Sequence, residues 1–481
     1  MRHLSSKWFY CGVLALSALT IFMAATNFSV AQEAAAEMAA APAAAAEAAP
    51  DLSKVLDKGD NAWMMTSSAL VLLMTPGLAF FYGGLVRRKN VLSVLMQCFL
   101  CLGIVTVLWV VVGFSLAFAG DVAGGFVGDP MAFFMLRDIK ADEAWSPVAG
   151  VWWPISEQVF MIFQCMFAII TPGLIIGAFA ERMKFSAFAI FTVLWVLFVY
   201  CPIAHWVWYG VDFPVIGKIG WFDETATPVG ALDFAGGTVV HINAGIAALV
   251  CCIVMGKRSD VPKGGVPPHN LPFAVLGAGL LWFGWFGFNA GSAGGATPQA
   301  VSAFVVTHVA AAAAALAWTL IEWGAHGRPT MLGIITGAVA GLVAITPAAG
   351  FVEVGPALII GGVASVICYV FVAMVKPLVG YDDALDVFGV HGIGGVWGAL
   401  ATGIFAVPGF GVDKLGGAMY GNVPQFFLQL KAVVVVTVYS AIATVVILMI
   451  IKVLVGLRTS EEGERLGLDL TDHSLPAYNE V

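Results

Sequence analysis

Charge is scarce in this chain. Only 11% of its 481 residues are Asp, Glu, Lys or Arg, against about 25% in ordinary water-soluble domains. So few polar groups cannot cover a water-facing surface, so most of that surface must face lipid. The shortage also excludes a nucleic-acid binder, since no basic patch stands along the sequence, and the formal net charge of −8 says little about partners. Cysteine is sparse as well, at eight residues. All but Cys11 lie in or beside apolar stretches rather than in a framework of spaced loop cysteines, which argues against structural disulfides. Cys98 and Cys101 form a Cys-x-x-Cys, but inside an apolar run, where they act as small hydrophobes on a helix.

What the chain has instead is apolar length. It is 60% hydrophobic, with a mean hydropathy of +0.93. A membrane span needs about 20 apolar residues, and eleven such runs are found near 62–86, 91–119, 156–180, 187–205, 232–256, 272–290, 298–323, 330–348, 355–376, 387–408 and 424–456. They are expected to be helices, because the alternation of a lipid-facing barrel strand is missing. The 55 glycines cluster within spans, as at Gly236-Gly237 and Gly394-Gly395, and small residues let membrane helices approach closely.

Before the first span, residues 1–31 have the form of a secretory signal: Arg2 and Lys7, an apolar stretch from Trp8, then Ser29-Val30-Ala31 as a small-x-small cleavage site. An Ala/Glu-rich, Pro-punctuated tail fills 32–60, the spans fill 61–457, and a charged tail runs over 458–481. Basic breaks follow the odd spans: Arg87, Arg88 and Lys89 after the first, Arg182 and Lys184 after the third, Lys257, Arg258 and Lys263 after the fifth, Arg328, Lys376 and Arg458 further on. Even spans end in longer loops where acids hold their own, including Asp121, Asp129, Asp212, Asp223 and Glu224. The positive-inside rule then places the N-terminus outside and the C-terminus in the cytoplasm, as a cleaved signal also requires.

Ionisable groups inside spans are costly and mark function. Span five opens with Asp233 and His241, which on a continuous helix share a broad face about 12 Å apart along the axis. Span ten opens with Asp386 and His391. An Asp followed by a His in both places divides spans 1–5 from spans 6–10 as two halves of opposite topology, an inverted repeat with a site at its interface. A single intramembrane histidine is commonly a satisfied interhelical hydrogen bond; two at matching places point to a site. No third ligand accompanies them, so no metal is expected. His205 reads as interfacial and His308 as packing. No nucleophile–base pair appears in the spans, which argues against an enzyme.

Asp-Phe-Ala-Gly-Gly-Thr-Val-Val-His (233–241), Gly-Trp-Phe-Gly-Phe-Asn-Ala-Gly-Ser (284–292), Asp-Val-Phe-Gly-Val-His-Gly (386–392), Pro-His-Asn-Leu-Pro (268–272) and Ala-Glu-Arg-Met-Lys-Phe-Ser (180–186) resemble signature segments of the ammonium transporters, from about residue 60 to the C-terminus. The resemblance implies an all-α fold of eleven transmembrane helices, a homotrimer with one pore per subunit in the inner (plasma) membrane, ammonium or ammonia as substrate with methylammonium as analogue, and no cofactor. It implies further that Trp208 and Phe167 wall an outer recruitment site whose hydroxyl is Ser292. Phe167 and Phe288 would close the pore below, and His241 and His391 would line it as twin histidines. Asp233 would support the outer site, with Asp386 its counterpart in the second half. The tail resembles the region that contacts a nucleotide-sensing signal protein of the PII class. An ammonium sensor on the same scaffold is the alternative, although such sensors often carry an added domain and this tail is short.

The topology is directly checkable. A reporter active only outside the cytoplasm, fused after Val481, is expected to stay silent; activity there would overturn the orientation.

Overall fold

The computed structural model describes residues 56–146, 153–209, 230–259, 266–409 and 416–478, with backbone alone at 212–213 and 217–218. The signal-like segment 1–31, most of the tail that follows it, and Lys263, Asp223 and Glu224 lie outside the described residues.

Among the described residues, ten helices are long and apolar enough to cross a membrane: α1 (Lys58–Leu85), α2 (Arg88–Phe118), α3 (Glu157–Phe179), α4 (Phe185–Tyr209), α5 (Gly237–Met255), α6 (Leu271–Gly291), α7 (Pro298–His326), α9 (Val354–Val379), α10 (Phe388–Phe405) and α11 (Val423–Leu454). The eleventh predicted span, 330–348, is the shorter α8 (Met331–Ile345). Its 15 residues rise about 22 Å, short of the roughly 30 Å hydrocarbon core. Pro347 has no N–H to donate back into the helix, and the run continues as buried turns through Phe351. Side-chain caps mark several starts: Asp57 accepts from Asp60 N at 2.8 Å, Asn270 from Phe273 N at 3.0 Å and Thr330 from Gly333 N at 2.9 Å. Each meets an N–H that a helix start leaves unpaired.

Lipid is as apolar as leucine, so burial alone does not hold these helices together; close packing does. A β-carbon on Gly277 of α6 would lie 2.2 Å from Phe81 N of α1. The same addition at Gly245 of α5 would lie 2.2 Å from Gly392 N of α10. The first helices of the two halves thus pack on each other, as do the last. That pairing agrees with the inverted repeat, and it sets the two histidine-bearing helices in backbone contact.

On one face the ends of α1, α3, α5 and α9 converge on an ion-pair cluster, which requires these odd-numbered helices to run in one direction. Arg258 Nη1 donates to Glu181 Oε2 at 2.8 Å, while its Nε and Nη2 reach the two oxygens of Asp382 at 2.9 and 2.8 Å. Arg87 Nε also donates to Glu181, at 2.9 Å. Burial alone would raise both acids. The arginines more than offset it, holding Glu181 below the usual carboxylate range and Asp382 down to about 2.

The tail packs against this face through two short helices, α12 (Glu461–Leu466) and α13 (Leu468–His473). Lys89 Nζ donates to the carbonyls of Glu464 and Arg465, both at 2.8 Å, and Arg458 pairs with Glu464. Asp469 accepts from Ser93 N at 2.8 Å and Asp472 from Phe185 N at 3.1 Å. Tail carboxylates therefore sit at the N-terminal ends of α2 and α4, where the helix dipole favours negative charge.

Replacing Arg258 with Met takes the shared partner from buried Glu181 and part-buried Asp382 and is expected to cost about 3–5 kcal/mol, read as a lowered thermal transition in detergent. The acid limb follows from the depressed carboxylates. Their contribution is fully present above the unfolded value near pH 4 and is lost as the pH falls from there toward 2. A transition unmoved by R258M would contradict the cluster's role.

Candidate functional site

Three helices set the order of side chains along one path through the bundle. From α1 come Met64, then Met74 and Leu78; from α3 Phe163, Gln164 and Phe167, then Ile170 and Leu174; from the oppositely running α6 Ser292 and Gly291, then Phe288, Trp285 and Leu281. The first members line one cavity with Trp208 and Trp153, and the later members line a second with His241 and His391. Each cavity holds about 10 Å³, close to the room for one water-sized molecule. The second lies nearer the ion-pair face. Between them the rings of Phe167 and Phe288 pack with centroids 4.3 Å apart.

The first cavity is mainly aromatic. Trp208 meets Phe167 edge-to-face at 5.5 Å, and Phe163 meets Phe167 at 4.9 Å. Trp208 Nε1 donates to the carbonyl of Asp233 at 3.1 Å, which fixes the indole plane. The Ser292 hydroxyl donates to Phe288 O at 2.8 Å. With its one proton committed, its oxygen is left as an acceptor. Gln164 lines the same cavity, and its buried Oε1 has no partner. Phe163 and Gln164 carry no mark in the sequence reading. The signal that finds Phe163 is helical spacing, four residues before Phe167 on the same face.

In the second cavity His241 and His391 approach through Nδ1 atoms 3.2 Å apart, with ring centroids at 5.2 Å. Two neutral imidazoles make that contact only as different tautomers, one donating and one accepting. His241 also lies beside the near-parallel rings of Trp285 and Phe288, with centroids at 5.5 and 6.0 Å. Both histidines sit in a wide π-type turn that opens their helices, at Gly237–Ile242 and Phe388–Gly392, a form common at functional sites.

Asp233 does not share a helix face with His241, as the sequence had suggested. The chain turns at Gly236, whose φ of 108° suits a residue without a β-carbon, and α5 begins after it. Asp233 caps that start. Its carboxylate accepts from the N–H groups of Gly236 (3.1 Å), Gly237 (2.5 Å), Thr238 (2.9 Å) and Val239 (3.2 Å), and from the Thr238 hydroxyl. Asp386, expected as its counterpart, does something else. It lies at a left-handed φ of 62° and pairs with Lys376 at 2.6 Å. Asp383 takes the capping position, accepting from Phe388 N at 2.8 Å. It stands eight residues before its histidine, as Asp233 does; that equal spacing was the available signal.

Two other histidines also differ from expectation. His205 is buried rather than interfacial, with Nδ1 3.0 Å from Ala117 O and Nε2 3.1 Å from Asp121. His308 is exposed on the outer side of α7, with its ring against Trp282 at 5.4 Å. Among the described residues no group of three or more His, Cys, Asp or Glu is placed to hold a metal ion.

An all-α bundle of membrane-length helices around a narrow, mostly apolar path is a multi-pass membrane transport protein. The comparisons give it a family. A profile described as Ammonium Transporter Family matches residues 62–478. An ammonium transporter of Aquifex aeolicus is 49% identical over 428 residues, covering 88% of this chain and 94% of the relative. One of Bacillus subtilis is 45% identical over 434 residues, covering 88% and 100%. The crystal structure of Candida albicans Mep2 matches with a TM-score of 0.75 at 35% identity, over 86% of this chain and 88% of that one. This chain belongs to the ammonium transporter family, a family of transporters rather than enzymes.

Proposed function

We propose that ammonium is recruited in the aromatic cavity, gives up its proton near Phe167 and Phe288, and crosses the second cavity as ammonia past the twin histidines. The observation that carries this reading is the 3.2 Å Nδ1–Nδ1 contact of His241 and His391 beneath a ring-closed aromatic site. Aromatic faces attract cations, and the free lone pairs of Ser292 favour a cation bearing N–H over a bare ion. Below the ring pair the walls are Leu78, Ile170, Leu174 and Leu281, where a charge is costly and a neutral molecule is not. One histidine donating and one accepting offers ammonia a polar track and the proton a separate relay. Asp233 acts indirectly, by holding the turn on which Trp208 rests.

The rest of the reading follows the charges. The ion-pair face is cytoplasmic, in the inner membrane, so the aromatic cavity faces outward; 1–31 is a signal, 32–60 an external tail, 61–457 the transport domain and 458–481 a regulatory tail beside which a PII-type protein docks. The protein works as a homotrimer. His308 supports this, because an imidazole on an outer apolar face with Phe283 and Phe304 is poorly suited to lipid and better covered by a second copy. A protein described as a sensor Amt protein matches with a TM-score of 0.74 at 28% identity, over 86% of this chain and 98% of that one. That likeness keeps an ammonium-sensing role as the second reading, which methylammonium uptake restored in a transport-null cell would exclude.

For the recruitment site, Trp208→Leu is expected to weaken apparent ammonium affinity by about 2- to 30-fold and to blunt discrimination against larger cations, read as methylammonium uptake under ammonium competition. Unchanged affinity and selectivity would return Trp208 to a packing role.

A further inference from the structure

A third cavity, far larger than the two already described, lies off the transport path. It holds about 480 Å³ between the ends of α5 and α9 on the ion-pair face, far more than either cavity of the path. Its wall is apolar, made chiefly by Leu249, Ile253, Val375, Val379 and Phe388. It opens on the outer flank of the bundle, where Ile253 is 61% and Val379 69% exposed. An apolar groove of this kind at the edge of a bilayer takes a hydrocarbon chain.

The polar end of the groove says what the chain is attached to. Lys257 lines it and is exposed, and its ammonium lies beside Gly380 at the C-terminal end of α9. Among the described residues it has no carboxylate partner, whereas nearby Arg258 is bound to Glu181 and Asp382 and Lys376 to Asp386. Asp382 also lines the groove, but both of its oxygens are taken by Arg258. The uncommitted charge at the mouth is therefore positive, and basic pockets between membrane helices favour anionic headgroups.

We propose that this groove is a site for an anionic phospholipid, with one acyl chain along Ile253 and Val379 and its phosphate on Lys257. Phe388, the first residue of the turn that carries His391, forms part of its wall, so a seated lipid buttresses the start of α10.

The test uses the full chain in detergent, with native mass spectrometry counting phosphatidylglycerol and phosphatidylcholine retained per subunit. Wild type is expected to hold phosphatidylglycerol in preference. Lys257→Gln is expected to weaken that preference about fivefold, whereas Arg328→Gln, an equal charge loss in the exposed turn after α7, leaves it unchanged. Ile253→Trp, which fills the groove, is expected to lower retention of both lipids. Equal losses in K257Q and R328Q would mean diffuse surface attraction, and unchanged retention in K257Q would mean another contact; either overturns the site. If I253W does not fold, the two charge variants decide alone.

Discussion

A helix that starts inside a water-poor interior must find acceptors for its first N–H groups within the protein. Two helices here meet that demand with one device, an aspartate eight residues before a histidine. Asp233 gathers the open N–H groups of α5 and Asp383 takes that of Phe388 in α10. With both starts fixed, the wide turns after them have one geometry, and each turn delivers its histidine to the same place. The close passage of Gly245 against Gly392 then brings the two backbones near enough for the rings to touch. The twin-histidine contact is the end of that chain of constraints.

The distribution of charge follows from the same scarcity of water. Acids and arginines with several partners gather at one end of the bundle, where Arg258 ties three helix ends together. Along the path the polar atoms are few and individually committed: the indole N–H of Trp208 to a carbonyl, the Ser292 proton to Phe288 O, each histidine Nδ1 to the other. In the first cavity the Ser292 lone pairs and the Gln164 oxygen remain uncommitted, and both accept hydrogen bonds. A donor-rich small cation fits that remainder.

The eleven apolar runs were plain in the sequence because a 20-residue hydrophobic stretch in so charge-poor a chain has few alternative structures. His241, Phe288, Ser292 and His391 around the two cavities were also reachable, through long signature segments; Phe167 and Trp208 lie outside those segments and came only with the family resemblance. Local geometry was less so. Asp386 stands in the more conspicuous segment, beside Val387 and Phe388, yet it turns to Lys376; the capping acid is Asp383, recognisable only by counting back from both histidines. α8 ends early at a proline within a continuous apolar run. The partners of Arg258 lie 77 and 124 residues away, and nothing in a single sequence joins them. His205 and His308 exchanged expectations because burial of a lone histidine depends on neighbours from other helices.

The proposed relay rests on the histidine pair, and one measurement bears on it most directly: ammonium-evoked and potassium currents in reconstituted membranes for the wild type, His241→Asp and His391→Ala. The account predicts ammonium current without potassium current in the wild type, admission of potassium in H241D because a fixed carboxylate tolerates a bare ion, and no coupled current in H391A. Equal currents and equal selectivity in all three would reduce the histidines to packing residues and contradict the account.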